Sequence, residues 1–272
     1  MDFVSEYVAK KPDNQGFVNY DDSEHLVWSK LYQRQIEILP GRACDEYMQG
    51  LSALNLGANK IPQLPEVNAV LKSKTGWQVQ PVAALITAEE FFQLLSTRKF
   101  PAATFIRTME ELNYIKEPDI FHELFGHCPM LLDPIFADFM QSYALKVLDF
   151  DKKDWPLLQR LFWFTVEFGL IKTKHGLRAY GGGILSSIAE TVYSVESDIP
   201  IRSLFEPLVV FRTPYRIDML QKIYFVIDSY QLLFDFVNSD IEKIIAKARE
   251  LGEFPPVFPI EFNNPSVHMM VC

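Results

Sequence analysis

Apolar residues recur at three- and four-residue intervals along most of this chain, the spacing of one helical face. Residues 21–39 open with capping groups and place Leu26, Val27, Trp28, Leu31, Tyr32, Ile36 and Leu39 near that spacing, so an amphipathic helix is predicted there. Further helices are predicted over 43–54 and from 65 to about 73, ending near Thr75-Gly76. The stretch 77–82, WQVQPV, alternates and closes on a proline, as a brief edge strand does. Thr87-Ala88-Glu89-Glu90 has the form of a capping box leading into Phe91, Phe92, Leu94 and Leu95, and that helix is expected to stop near Lys99-Phe100-Pro101.

Downstream, Asp133-Pro134 offers a cap with proline in the first turn, followed by Ile135, Phe136, Phe139, Met140, Tyr143 and Val147 at helical intervals. Another helix is predicted from about 154–156 to 174. Gly181-Gly182-Gly183 reads as a break, with a helix over 185–193 after it, a strand over 221–227 and a last long helix over 228–250. Two short apolar runs flank Asn263-Asn264-Pro265, which suggests a terminal hairpin. The pattern is therefore mainly α with a few short β-strands.

A chain of 272 residues with 49% hydrophobic residues buries a large core, and no repeat or Gly/Ser linker divides it. We expect one domain over 21–272 behind a polar arm over 1–20. The net charge of −9, with no basic run, argues against nucleic acid, whose phosphates demand a positive face. No stretch reaches the length of an apolar membrane span, and the N-terminus lacks a signal-like apolar core. Cys44, Cys128 and Cys272 are odd in number and far apart, so a disulfide framework is not expected and the cytoplasm is the expected compartment.

The candidate chemistry begins at 117–129, EPDIFHELFGHCP. A zinc-protease helix places its second histidine four residues after the first, but Gly126 holds that position and His127 comes one residue late. Residues five apart on one α-helix point about 140° from each other. Pro118 suits the first turn of a short helix, and Gly126 suits the left-handed position past its end. The expectation is therefore a helix carrying His122, with His127 in the turn beyond it. Two ligands of one metal fit this arrangement, and so do a core histidine and a helix-terminal one. A second anomaly is Glu167, the only ionisable residue in 161–171, LFWFTVEFGLI. A carboxylate in a buried helix needs a partner. Either a metal or Arg160, seven residues earlier on the same face, would supply it. Two histidines and a carboxylate form the facial triad of non-haem iron oxygenases, although zinc accepts the same donors.

These segments, with FWFTVEFGL and AYGGGILSSIAE, resemble the tetrahydropterin-dependent aromatic amino acid hydroxylases. The likeness runs over roughly residues 25–262, through VWSKLYQRQ, IPQLPEVNAVLKSKTGW and QPVAALITAEEFF. It implies a mostly helical catalytic domain with iron at the floor of a cleft, and Fe(II), a reduced tetrahydropterin and O2 as reaction components. It implies iron ligands at His122, His127 and Glu167, and a substrate-carboxylate site at Arg107, which would otherwise read as a surface ion pair. Trp163, Phe168, Gly183 and Ser186 match positions around the substrate, although Trp163 alone reads as core. Phe91 matches the residue that stacks on the pterin, and Ile86 and Glu123 match further pterin-site positions. Pro101 and Phe162 depart from the histidine and tyrosine of many animal members.

Ile217 falls at a pocket position that is acidic in members acting on tyrosine. The implied reaction is thus conversion of L-phenylalanine to L-tyrosine, with tryptophan or tyrosine as the alternative substrates. Animal members carry a regulatory domain and a tetramerising helix for which this chain has no matching segments, so a monomer or homodimer is expected. A zinc hydrolase and a non-catalytic binding protein are the readings from other classes. The missing i+4 histidine counts against the first, and an intact triad beside Arg107 counts against the second.

Overall fold

A computed structural model of the protein describes residues 5–257. Helix α1 spans Asp22–Ile38 and begins with a complete capping box, in which the Asp21 carboxylate accepts from the Glu24 N–H and Glu24 reaches back to the Asp21 N–H. Helix α2 (Asp45–Leu54) and helix α3 (Leu64–Lys74) follow close to their predicted positions. Strand β1 (Gln78–Val82), helix α4 (Ala88–Ser96) and strand β2 (Lys99–Ala103) form a crossover, with the strands paired in parallel from Gln78 opposite Lys99 to Val82 opposite Ala103. Thr87 caps α4 through the Glu90 N–H. The helix ends sooner than expected, and 99–103, read from sequence only as a helix stop, is a strand. Pro101 is tolerated there because β2 pairs on one side only.

Helix α5 (Pro134–Asp149) is capped by Asp133, whose side chain accepts from the Phe136 N–H. Helix α6 (Trp155–Phe162) leads into a π-helical turn, Trp163–Glu167. The predicted helix to residue 174 therefore stops seven residues early. Strands β3 (Leu170–Thr173) and β4 (Gly176–Ala179) make an antiparallel hairpin whose turn uses the positive φ of Gly176. The triple glycine is not a break: helix α7 spans Gly182–Leu185, and helix α8 spans Ile188–Glu196.

Strand β5 (Ile201–Leu204) and helix α9 (Pro207–Arg212) were not predicted. Strand β6 (Ile223–Ile227) was, and it lies between β3 and β5 in a four-stranded sheet ordered β4-β3-β6-β5. The expected last helix is two, α10 (Tyr230–Val237) and α11 (Ile241–Leu251), parted where Ser239 and Asp240 interrupt the apolar face. The predicted terminal hairpin lies outside the described residues. No helix of the described chain is long and apolar enough to cross a membrane. Ahead of α1, Tyr7 stacks on Phe105 at 4.6 Å, and the Tyr20 hydroxyl donates to the Thr104 carbonyl at 2.8 Å. One large apolar core, including Trp28, Tyr47, Phe121, Phe125, Tyr143 and Leu233, joins most of these elements behind the site described next.

Candidate active site

His122 and His127 lie on one continuous turn, not on a helix and the loop beyond it. Residues His122–His127 form a π-helix, in which the Cys128 N–H donates to the Glu123 carbonyl at 3.3 Å, five residues back. An i→i+5 bond widens the turn, so residues five apart stand over one another. Gly126 does not take the left-handed conformation expected of it. Its role is steric, because a Cβ there would lie 2.7 Å from the Gly182 carbonyl oxygen. The second π-turn, 163–167, is closed by the Phe168 N–H donating to the Trp163 carbonyl at 2.9 Å, and it carries Glu167.

The two turns face each other. His122 Nε2 and His127 Nε2 are 3.0 Å apart; Glu167 Oε1 lies 3.2 Å from His127 Nε2, and Glu167 Oε2 lies 3.6 Å from His122 Nε2. Arg160 does not compensate Glu167: its guanidinium bonds to Glu253 and to the Phe211 carbonyl. Burial drives the His122 ring down to about 4 despite the nearby Glu167 charge. Burial also opposes protonation of His127, but Glu167, by charge and hydrogen bond, raises it above the usual histidine range. Burial would raise Glu167, yet the two rings hold it below the usual carboxylate range.

Two imidazole nitrogens this close, both aimed at one carboxylate, suit a cation shared among them. Three adjacent donors each about 2.1 Å from one ion stand about 3.0 Å apart, so the spacing fits a shared metal. Ser186 Oγ lies 2.9 Å from His122 Nδ1. With Nε2 presenting its lone pair, Nδ1 carries the proton and donates to Ser186, which fixes the ring. Glu123, buried, also comes within 4.8 Å of both histidines. Glu167 is the better third donor, since each of its oxygens faces one Nε2.

The glycine run makes this approach possible. A Cβ on Gly182 would fall inside the His127 ring's van der Waals envelope, and one on Gly183 would lie 2.9 Å from Glu167 Oε2. The three donors sit in a cavity of about 480 Å³. Of the other predicted site residues, Arg107, Trp163, Phe168, Gly183, Ser186, Phe91 and Glu123 all line it, as do Phe162 and Ile217. Ile86 does not; it packs half-buried against the core.

Arg107 is buried rather than at the surface. Its Nε and one terminal nitrogen each donate to Asp119 at 2.8 Å. Asp119 also accepts from the His122 N–H at 3.1 Å, so one carboxylate caps the turn that carries the two histidines and holds the guanidinium. Burial would raise Asp119, but the Arg107 charge and the hydrogen bonds Asp119 accepts from Arg107 and the His122 N–H together outweigh it and keep the carboxyl below its usual range. Sequence reasoning missed Asp119, although an aspartate three residues before a helical histidine is a capping signal. It also missed Phe100, which packs on the His127 ring with centroids 5.0 Å apart. Cys44 and Cys128 are buried free thiols, while Cys272 lies outside the described residues.

A mostly helical domain that brings two histidines and a glutamate together in an aromatic cleft offers the donor set of a mononuclear metal centre, and the chain belongs to the biopterin-dependent aromatic amino acid hydroxylases, whose family profile matches residues 3–247. It is 51% identical over 256 residues to the phenylalanine-4-hydroxylase of Pseudomonas aeruginosa, covering 94% of this chain and 97% of that protein. The solved phenylalanine hydroxylase of Legionella pneumophila superposes with a TM-score of 0.91 at 67% identity, covering 93% of this chain and 100% of that one. The Chromobacterium violaceum phenylalanine hydroxylase, solved with iron and phenylalanine bound, superposes with a TM-score of 0.84 at 38% identity, covering 93% and 94% of the two chains. Membership of this family replaces the zinc-hydrolase reading.

Proposed function

We propose that this protein is an iron- and tetrahydropterin-dependent monooxygenase that converts L-phenylalanine to L-tyrosine with O2, and that His122, His127 and Glu167 hold the Fe(II). The observation that carries this reading is the convergence of the two Nε2 atoms, 3.0 Å apart, on Glu167, whose Oε1 lies 3.2 Å from His127 Nε2 and whose Oε2 lies 3.6 Å from His122 Nε2, in a largely apolar cavity. Bound there, Fe(II) supplies with the reduced pterin and O2 the oxidising power for aromatic hydroxylation.

The protein's own groups orient and enclose. Arg107 presents the substrate α-carboxylate with a guanidinium already fixed by Asp119, so little side-chain freedom is lost on binding. Trp163 and Phe168, with ring centroids 4.5 Å apart, form the wall for the substrate ring beside Gly183 and Ser186. Phe91 offers the pterin a ring face, and Glu123 a buried carboxylate. Ile86, outside the cavity lining, is not carried into this proposal. Ile217 gives a tyrosine hydroxyl no hydrogen-bonding partner at its wall, which favours phenylalanine.

We place the enzyme in the cytoplasm as a monomer or homodimer, and the buried free thiols suit a reducing compartment. The test is one assay of phenylalanine, tyrosine and tryptophan with Fe(II) and tetrahydropterin. Tyrosine formed from phenylalanine, dependent on pterin, is expected. Faster hydroxylation of tryptophan, or turnover without pterin, overturns the reading.

A further inference from the structure

The hydrogen-bonding of one buried amide outside the cavity lining joins two of its walls. Gln221 Oε1 accepts from the Trp163 indole N–H at 3.0 Å, while Gln221 Nε2 donates to the Arg216 carbonyl at 2.8 Å and the Met219 carbonyl at 3.1 Å. The partners fix the amide's orientation, because an indole N–H only donates and carbonyls only accept. The Gln221 backbone N–H donates to Glu190 Oε1 at 3.1 Å, and Glu190 also accepts from the Tyr224 hydroxyl. The Trp163 indole is also packed between two rings, stacked on Tyr215 at 4.4 Å and tilted against Phe168 at 4.5 Å. A stacked face resists in-plane displacement of an indole weakly, whereas the N–H bond is directional and opposes it. The turn that Gln221 clamps is the one that carries Ile217 into the cavity.

We propose that Gln221 is a positioning residue for the aromatic ring of the substrate: by tying the Trp163 indole to the turn at 216–219, it sets the gap between the Trp163 and Ile217 walls. This rests on the reading of the site given above. A wider or shifted slot leaves the ring off the reacting position, so pterin is oxidised without product.

The test compares Gln221→Leu in the wild-type and Trp163→Phe backgrounds, each loaded with Fe(II). In the wild-type background, the calorimetric Kd for L-phenylalanine is expected to rise about tenfold, the scale of one buried hydrogen bond lost. The tyrosine formed per pterin oxidised falls, while iron content and the pterin KM stay within twofold. In the Trp163→Phe background, which lacks the N–H, Gln221→Leu is expected to change the Kd and the product ratio less than twofold. Equal losses in both backgrounds, as a merely structural role would give, or no loss in the wild type, overturn the proposal.

If Gln221→Leu does not fold, replacing Trp163 with β-(3-benzothienyl)alanine removes the same donor from the other side and keeps the bicyclic ring. Loss of similar size is then expected, and unchanged values overturn the proposal. Wild-type protein that forms no tyrosine overturns the site reading and this inference with it. Active wild type with an unaffected Gln221→Leu overturns this inference alone.

Discussion

The Nε2 atoms of His122 and His127 stand 3.0 Å apart although five positions separate the residues, because the chain between them makes a π-turn rather than ending a helix. An α-helix would point the two rings about 140° apart. Glu167 comes from a second π-turn packed opposite, and α7 passes between with glycines at the closest contacts. The site thus depends on two widened turns held face to face.

Gly182→Ala puts a methyl group against the His127 ring. Overpacking of this kind costs about 1–3 kcal/mol of stability. Because the ring must tilt to relieve it, Fe(II) affinity is expected to fall at least tenfold, checked by competition with a chelator. Unchanged affinity with intact stability would mean that the backbone of α7 shifts instead.

Arg107→Lys keeps the charge and gives up the planar fork. The KM for phenylalanine is expected to rise about tenfold or more, with the pterin KM little changed. Steady-state kinetics with each substrate varied in turn checks this, and an effect confined to the pterin would place the substrate carboxylate elsewhere.

Asp119→Asn breaks a buried ion pair and is expected to cost about 3–5 kcal/mol at pH 7. The pH dependence follows from the depressed carboxyl of Asp119. Its folded-state affinity for protons is below the unfolded one, so its contribution is fully present above the ordinary carboxylate range. It is lost as pH falls through that range toward the folded value. Urea unfolding of wild type and variant from pH 7 downward should therefore show the two curves converging below about pH 4. A gap that stays constant would mean that Asp119 is not the titrating partner.

Much of this was legible in the sequence. Periodicity and caps located α1, α2, α3, α4 and α5, since those helices carry their own signals, such as the box at Asp21 and Glu24 and the cap at Asp133. The short elements were not legible. Strand β2 contains a proline, β5 is too brief and too exposed to alternate clearly, and α6 was extended through 170–174 because Leu170 and Ile171, buried in β3, continue its apolar run. At the site, residue types and spacing marked His122, His127 and Glu167 as anomalies. The π-turn that reconciles their spacing leaves no compositional trace, and the glycines that permit it act through contacts between distant segments. Asp119 and Gln221 look like ordinary polar residues until the fold buries them.

The most direct test is metal content. After anaerobic loading with Fe(II) and gel filtration, the wild type is expected to retain about one iron per chain, since the triad offers one shared site. His122→Ala, His127→Ala and Glu167→Ala should each retain little or none and form no tyrosine from phenylalanine, while keeping wild-type far-ultraviolet circular dichroism. Iron near one equivalent with normal turnover in any of the three variants would contradict the assignment of that residue, and the same result in Glu167→Ala would contradict the account of the centre as a whole.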